Sequence, residues 1–242
     1  MRTREERIRL EILIVLAVTF GLSGVRSLLR LIDALLAAPA LNEQQVTLND
    51  TASDISWLDL ALQLCSAASL LAWGALALFL LDKSLPRLRW RDWLHGAGLA
   101  ALIGLPGLVL YVTALHMGWS KQVIPTTEAV QVPTLLLWSF ANAFGEETVV
   151  VMWLITRLRQ LGWGPWPAIA ASSVLRGSYH LYQGVSAGFG NIVMGVVFGY
   201  FYHRTSKVWP LILAHFLIDA VAFVGYLLVP GSLLSSLGIA AG

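Results

Sequence analysis

The sequence predicts an all-α, polytopic membrane bundle, and three observations carry that prediction. Of 242 residues, 57% are hydrophobic and only 12% charged, about half the charged fraction of an ordinary soluble domain. Mean hydropathy is +0.71. Several apolar runs reach about 20 residues, the length that crosses roughly 30 Å of hydrocarbon. Runs this long exclude strands, because only helices and closed barrels satisfy their backbone groups in lipid.

Seven membrane helices follow from the runs, at roughly 9–37, 57–81, 94–117, 128–156, 165–182, 187–203 and 208–229. The N-terminal stretch MRTREERIRLEILIVLAVTF carries acidic residues and no small-residue cleavage site, so it reads as a retained first helix. Pro39 closes that helix, and an acidic loop with Glu43, Asp50 and Asp54 follows. Lys83, Arg87, Arg89 and Arg91 crowd the next loop. Arg157 and Arg159 follow the fourth helix, and His203, Arg204 and Lys207 follow the sixth. The positive-inside rule then puts the N-terminus and loops 82–93, 157–164 and 204–207 in the cytoplasm. Loops 38–56 and 118–127 and the C-terminus face outward. The connection at 183–186 is short, so the fifth and sixth helices form a hairpin. Trp57, Trp90, Trp93, Trp119, Trp163, Trp166 and Trp209 lie near helix ends, as an interfacial belt requires. The expected organisation is N-terminal helices over 1–130, a core over 131–230 and a short tail over 231–242.

Net charge is +2, which points to no nucleic-acid partner. Cys65 is the sole cysteine, so an intrachain disulfide or a cysteine zinc site is excluded.

Function concentrates in the polar residues left at membrane depth, since each costs several kcal/mol there. They are Asp33, Asp59, Glu146, Glu147, Arg176, His180, His215 and Asp219. Asp33 and Asp59 fall near outer helix ends and read as interfacial. The other six lie on three helices in the last 100 residues. No Lys or Arg stands between Gln122 and Thr156 to neutralise Glu146 and Glu147. Arg176 and His180 are i and i+4, as are His215 and Asp219, so each pair shares a helix face. Glu146 and Glu147 project about 100° apart, so one can face a cavity while the other reaches a partner such as Arg176. Depths counted along straight helices overlap only loosely. A shared polar pocket, a proton site in a transporter and structural hydrogen-bonded pairs all fit the residues alone. The transporter predicts inverted repeats or matched broken helices, and the sequence contains neither.

The motifs, in order and spacing, resemble those of the CPBP intramembrane protease family. It is also called the CAAX-protease and bacteriocin-processing or Abi family, and it includes the CAAX prenyl endopeptidases. That family carries Glu-Glu-x-x-x-Arg, then aromatic-x-x-x-His, then His-x-x-x-Asn or Asp. Here Glu146-Glu147 opens the first, His180 closes RGSYH, and His215 and Asp219 frame HFLID. The stretch GNIVMGVVFGYFYHRTSKVWPLILAHFLIDA resembles the family's run between its histidine motifs, and the resemblance covers about 135–228. There are two departures. The first motif's arginine falls at Val151, and the second motif's aromatic falls at Arg176. Either an arginine has moved between helices, or the chain is an inactive member.

The resemblance implies hydrolysis of a peptide bond in a hydrophobic, lipid-modified or membrane-anchored substrate by an integral, multi-pass protein with a cytoplasmic N-terminus. In a bacterium it would sit in the plasma membrane. Glu146 would be the general base, assisted by His180, and His215 with Asp219 would stabilise the oxyanion. Glu147 and Arg176 would support them from behind. No cofactor is required in this form. The alternative is a divalent metal such as zinc on Glu146, His180 and His215, although the sequence lacks HExxH. Partners are the bilayer and a peptide or membrane-protein substrate. The competing reading keeps the fold as a non-catalytic scaffold or immunity-type protein. Gly195-x-x-x-Gly199 is expected to let two helices approach closely.

Overall fold

A computed structural model describes residues 2–124 and 131–225. The expected start of the fourth helix at 128, the end of the seventh at 229 and the tail 231–242 lie outside those residues. Among the described residues nine α-helices follow in order: α1 (Arg4–Val18), α2 (Phe20–Leu36), α3 (Ser56–Leu80), α4 (Trp90–His116), α5 (Val132–Glu146), α6 (Leu154–Gln160), α7 (Pro165–His180), α8 (Val185–Thr205) and α9 (Trp209–Val224). The all-helical membrane bundle is the observed architecture. Exposed leucines, valines and tryptophans cover its outer wall, as a lipid-facing surface requires.

The expected first helix is two. α1 starts at a capping box, where Thr3 accepts from the Glu6 amide and Glu6 accepts from the Thr3 amide. The helix then bends by 49° into α2 at Thr19. The Thr19 hydroxyl donates back to the Val15 carbonyl at 2.6 Å, a side-chain bond that bends helices.

The expected fourth helix is one apolar span, Val132–Gln160, with a change of winding inside it. Glu147–Trp153 is π-helical and joins α5 to α6. Such wide turns are rare and concentrate at functional sites. The Ser172 hydroxyl of α7 donates to the Val150 carbonyl inside this turn at 2.6 Å. Thr148 to Val151 and Trp153 are fully buried here, so the π-segment is the centre of the core.

Seven spans are not established. Four helices among the described residues have the length and apolarity to cross a membrane, or five if α1 and α2 form one bent span. α7 and α9 have 16 residues each, about 24 Å of helix against roughly 30 Å of hydrocarbon. α7 also packs between α2 and α8, with the face of Trp166, Ala170 and Val174 exposed.

Loops 38–56 and 118–124 meet through two short parallel strands, β1 (Gln45–Thr47) and β2 (Gln122–Ile124). A bridge from Ser120 to Gly184 ties β2's loop to the α7–α8 hairpin, where Gly184 has φ +127°, a conformation that favours glycine. α8 crosses α7 at close range. A Cβ on Gly195 would lie 2.8 Å from the Ser173 Cα, and one on Gly199 would press on Ile169 and Ile155.

Candidate active site

Glu146 ends α5 and Glu147 begins the π-segment, so the change of winding falls between them. Both are buried, Glu147 completely. α7 faces them with three side chains from its last two turns. Arg176, itself fully buried, donates from Nη2 to Glu147 Oε1 at 2.6 Å and from Nη1 to Glu146 Oε2 at 3.3 Å. Tyr179 donates its hydroxyl to Glu146 Oε2 at 2.6 Å. His180 Nε2 stands 3.8 Å from the same oxygen, beyond hydrogen-bond range.

α9 closes the cluster from the other side. His215 Nδ1 donates to Glu147 Oε1 at 2.7 Å, and its Nε2 lies 3.5 Å from Asp219 Oδ1 one turn along. The structure therefore brings Glu146, Glu147, Arg176, His180, His215 and Asp219 together. α7 supplies this because His180 is its last residue, carried far from the Pro165 end. Asp33 and Asp59 stand apart. Asp33 is exposed, and Asp59 accepts from the Ala52 amide at 2.6 Å near the start of α3.

The two carboxylates are held differently. Glu147 is enclosed, its Oε1 shared by a guanidinium and an imidazole. Glu146 is held through Oε2 by Tyr179 and Arg176, while Oε1 makes no hydrogen bond to a described residue. A carboxylate fixed by one oxygen and open at the other is suited to accept a proton in a defined direction. His180 has both ring nitrogens buried and, among the described residues, without a hydrogen bond, while the rest of its side chain retains some exposure. The open side of the cluster thus carries Glu146, His180 and Asp219, and the closed side carries Arg176 and Glu147.

At the two motif departures, Val151 is fully buried among apolar side chains, and the guanidinium reaches the carboxylates from α7 instead. Arg176 also lies 5.7 Å from the Phe198 ring centre, a cation–π distance. Among the described residues no three His, Cys, Asp or Glu side chains are grouped to hold a metal ion. Glu146, His180 and His215 do not form that set here: His215 is turned between Glu147 and Asp219, and a permanent cation already sits against both carboxylates.

Sequence reasoning missed Tyr179, which sits one residue before the motif histidine and resembles an interfacial tyrosine. Its only signal is that a buried tyrosine hydroxyl needs a partner. A second miss is Arg157, read from sequence as a topology signal. It donates to both oxygens of Glu11, at 2.7 and 3.1 Å, and to the Leu80 carbonyl at 2.5 Å. The Trp153 indole adds a fourth bond, to Glu11 at 2.9 Å, so α1 is latched to the span that carries the carboxylates.

No curated protein and no solved structure matches the chain. Residues 128–221 match the family model described as type II CAAX prenyl endopeptidase Rce1-like, a match that spans all six converging side chains and supports the CPBP/CAAX protease family for this segment.

Proposed function

We propose that the chain is an intramembrane endopeptidase in which Glu146 activates water against a peptide bond held at the open side of the cluster. The observation that carries this reading is the asymmetric holding of Glu146, with Tyr179 and Arg176 on Oε2 and no described residue hydrogen-bonded to Oε1. Membership of the CAAX-protease family supports the reaction class.

Water enters beside Glu146 and His180, hydrogen-bonded to both. Glu146 takes its proton as the water oxygen bonds to the scissile carbonyl carbon. The carbonyl π-bond breaks, and the electron pair moves to oxygen. His215, carrying protons on both nitrogens and anchored to Glu147 through Nδ1, donates from Nε2 to that oxyanion. Asp219 orients the same ring. The tetrahedral intermediate collapses as Glu146 returns its proton to the leaving amine, giving an acid and an amine. Removing a single oxyanion donor in such sites costs about 10²–10³ in rate. No step passes through a metal.

The substrate is a hydrophobic, lipid-modified or membrane-anchored peptide, because the cluster opens among apolar helices. The N-terminus and the arginine-rich loops are assigned to the cytoplasm by the positive-inside rule. The scaffold reading drew on Val151. Arg176 weakens it, because the site has its guanidinium from another helix.

Purified protein is tested on membrane-soluble quenched peptides, with and without chelator. Wild type is expected to cleave, and Glu146→Gln to bind and fold normally without turnover. Cleavage by Glu146→Gln at the wild-type rate overturns the mechanism, and loss of wild-type cleavage in chelator overturns its metal-free form.

A further inference from the structure

A groove on the wall of the bundle has no part in the chemistry above. α4 and α5 both pack on α9, and a cavity of about 440 Å3 lies against all three. Trp209, Leu213 and Phe216 form its floor, spaced i, i+4 and i+7, hence on one face of α9. Trp93 of α4 and Leu136 and Phe140 of α5 form its walls. Every lining side chain is aliphatic or aromatic. From Trp209 to Phe216 the floor runs about 10 Å, roughly two thirds of one leaflet's hydrocarbon depth. Its volume lies within the range of roughly 300–1,000 Å3 typical of small-ligand sites. The shape suits a linear hydrocarbon lying along α9.

The mouth at Trp209 is cationic. Leu88 lines it, and its chain neighbours Arg87 and Arg89 are exposed beside it. The Trp209 indole donates to the Pro86 carbonyl at 2.7 Å, tying this loop to the first turn of α9. Exposed Lys207 comes two residues before Trp209. None of Arg87, Arg89 and Lys207 forms an ion pair among the described residues. Along the chain, the acids that flank Arg87 and Arg89 are Asp82, exposed at the far end of the loop, and Asp92, buried and accepting from the Arg89 amide at 2.9 Å.

An apolar groove beside three cations that form no ion pair among the described residues is complementary to one class of molecule. We propose that the groove binds an anionic phospholipid of the bilayer, with one acyl chain along α9 and the phosphate at Arg87, Arg89 and Lys207. A zwitterionic lipid fits the channel equally well but gains less from the mouth, so headgroup charge sets the preference.

The test uses the full chain reconstituted in phosphatidylcholine vesicles with increasing fractions of chain-brominated phosphatidylglycerol or chain-brominated phosphatidylcholine. Bromine quenches tryptophan on contact, and Trp93 and Trp209 line the groove. The expected result is a saturable quenching component that prefers phosphatidylglycerol roughly fivefold or more. It should be lost in Trp93→Phe/Trp209→Phe. In Arg87→Gln/Arg89→Gln/Lys207→Gln the saturable component should remain but lose its headgroup preference. Identical curves for the two lipids overturn the proposal, as does a preference that survives the triple substitution. Displacement of both brominated lipids alike by a hydrophobic substrate peptide also overturns it, by assigning the groove to the peptide. The readout is lipid contact rather than turnover, so it succeeds or fails independently of the proposed protease activity.

Discussion

Removing the Arg176 guanidinium should be the most damaging single change in the chain. Arg176 is fully buried and donates to both carboxylates, at 2.6 and 3.3 Å. Arg176→Met keeps much of the side-chain volume and deletes the charge. Two hydrogen bonds to charged groups are lost, at about 1.5–3 kcal/mol each, and the cation–π contact with Phe198 goes as well. Among the described residues Glu147 is then left with no partner on Oε2 and only His215 on Oε1. Breaking a buried pair from one side costs about 3–5 kcal/mol, because a charge is stranded, and the sum of bonds reaches the same range. The assay is unfolding in mixed detergent micelles, followed by tryptophan fluorescence. Arg176→Met is expected to lose about 3–5 kcal/mol. Glu147→Gln placed on top should return part of the loss, since the stranded carboxylate is gone. The two changes should couple by about 1–3 kcal/mol in a double-mutant cycle. A loss under about 1 kcal/mol, or strict additivity with Glu147→Gln, would refute the buried charge cluster.

Four further outcomes follow from named contacts. Tyr179→Phe deletes the 2.6 Å donor to Glu146 and should cost about 1.5–3 kcal/mol in the same unfolding assay, with a fall in kcat larger than any change in KM. Gly195→Val forces α7 and α8 apart at the Ser173 backbone and should lower Tm markedly, while Gly98→Ala, which meets open space, should be neutral or slightly stabilising. Arg157→Gln breaks the latch to Glu11, so hydrogen exchange should rise in α1 and stay unchanged in α7 and α8. Val151→Arg buries a second, unpaired guanidinium in the apolar core and should destabilise wild type by several kcal/mol, but far less when combined with Arg176→Phe, because the cluster then still holds one arginine.

Periodicity made the faces legible. Arg176 with His180, and His215 with Asp219, obey an α-helical repeat that needs no tertiary information. The meeting of the three helices rested on a different argument, the cost of ionised groups in lipid, and that cost is residue-specific enough to single out six side chains. The π-segment was not legible. ETVVVMW has the same apolar character whether wound at 3.6 residues per turn or wider, and what favours the wide turn is tertiary, including the Ser172 hydroxyl on the Val150 carbonyl. Tyr179 stayed hidden because its hydroxyl bond joins α7 to α5, and nothing local marks it. The span count of seven is not confirmed, for a related reason. Hydropathy registers an apolar helix such as α7 without registering that α2 and α8 pack on either side of it.

The exchange between positions 151 and 176 shows why charge should be counted in space rather than along a motif. Two adjacent carboxylates at membrane depth need a permanent cation, and the bundle supplies one. An arginine four residues after Glu147 would reach the carboxylates from their own helix. Val151 leaves that position apolar and lets the π-segment fill the core without a second charge to satisfy. Arg176 reaches the same oxygens from α7, stacked near Phe198 and beside Tyr179. That relocation has a structural consequence. The cation now ties α7 to α5, and His215 ties α9 to the same Glu147 oxygen, so one fully buried carboxylate fixes three helices at a single point. Glu146 is thereby relieved of a structural role at Oε1. In the proposed mechanism the pair divides into one carboxylate that holds the site together and one that meets a proton, and the division comes from the enclosure of Glu147, not from any difference in chemistry between the two.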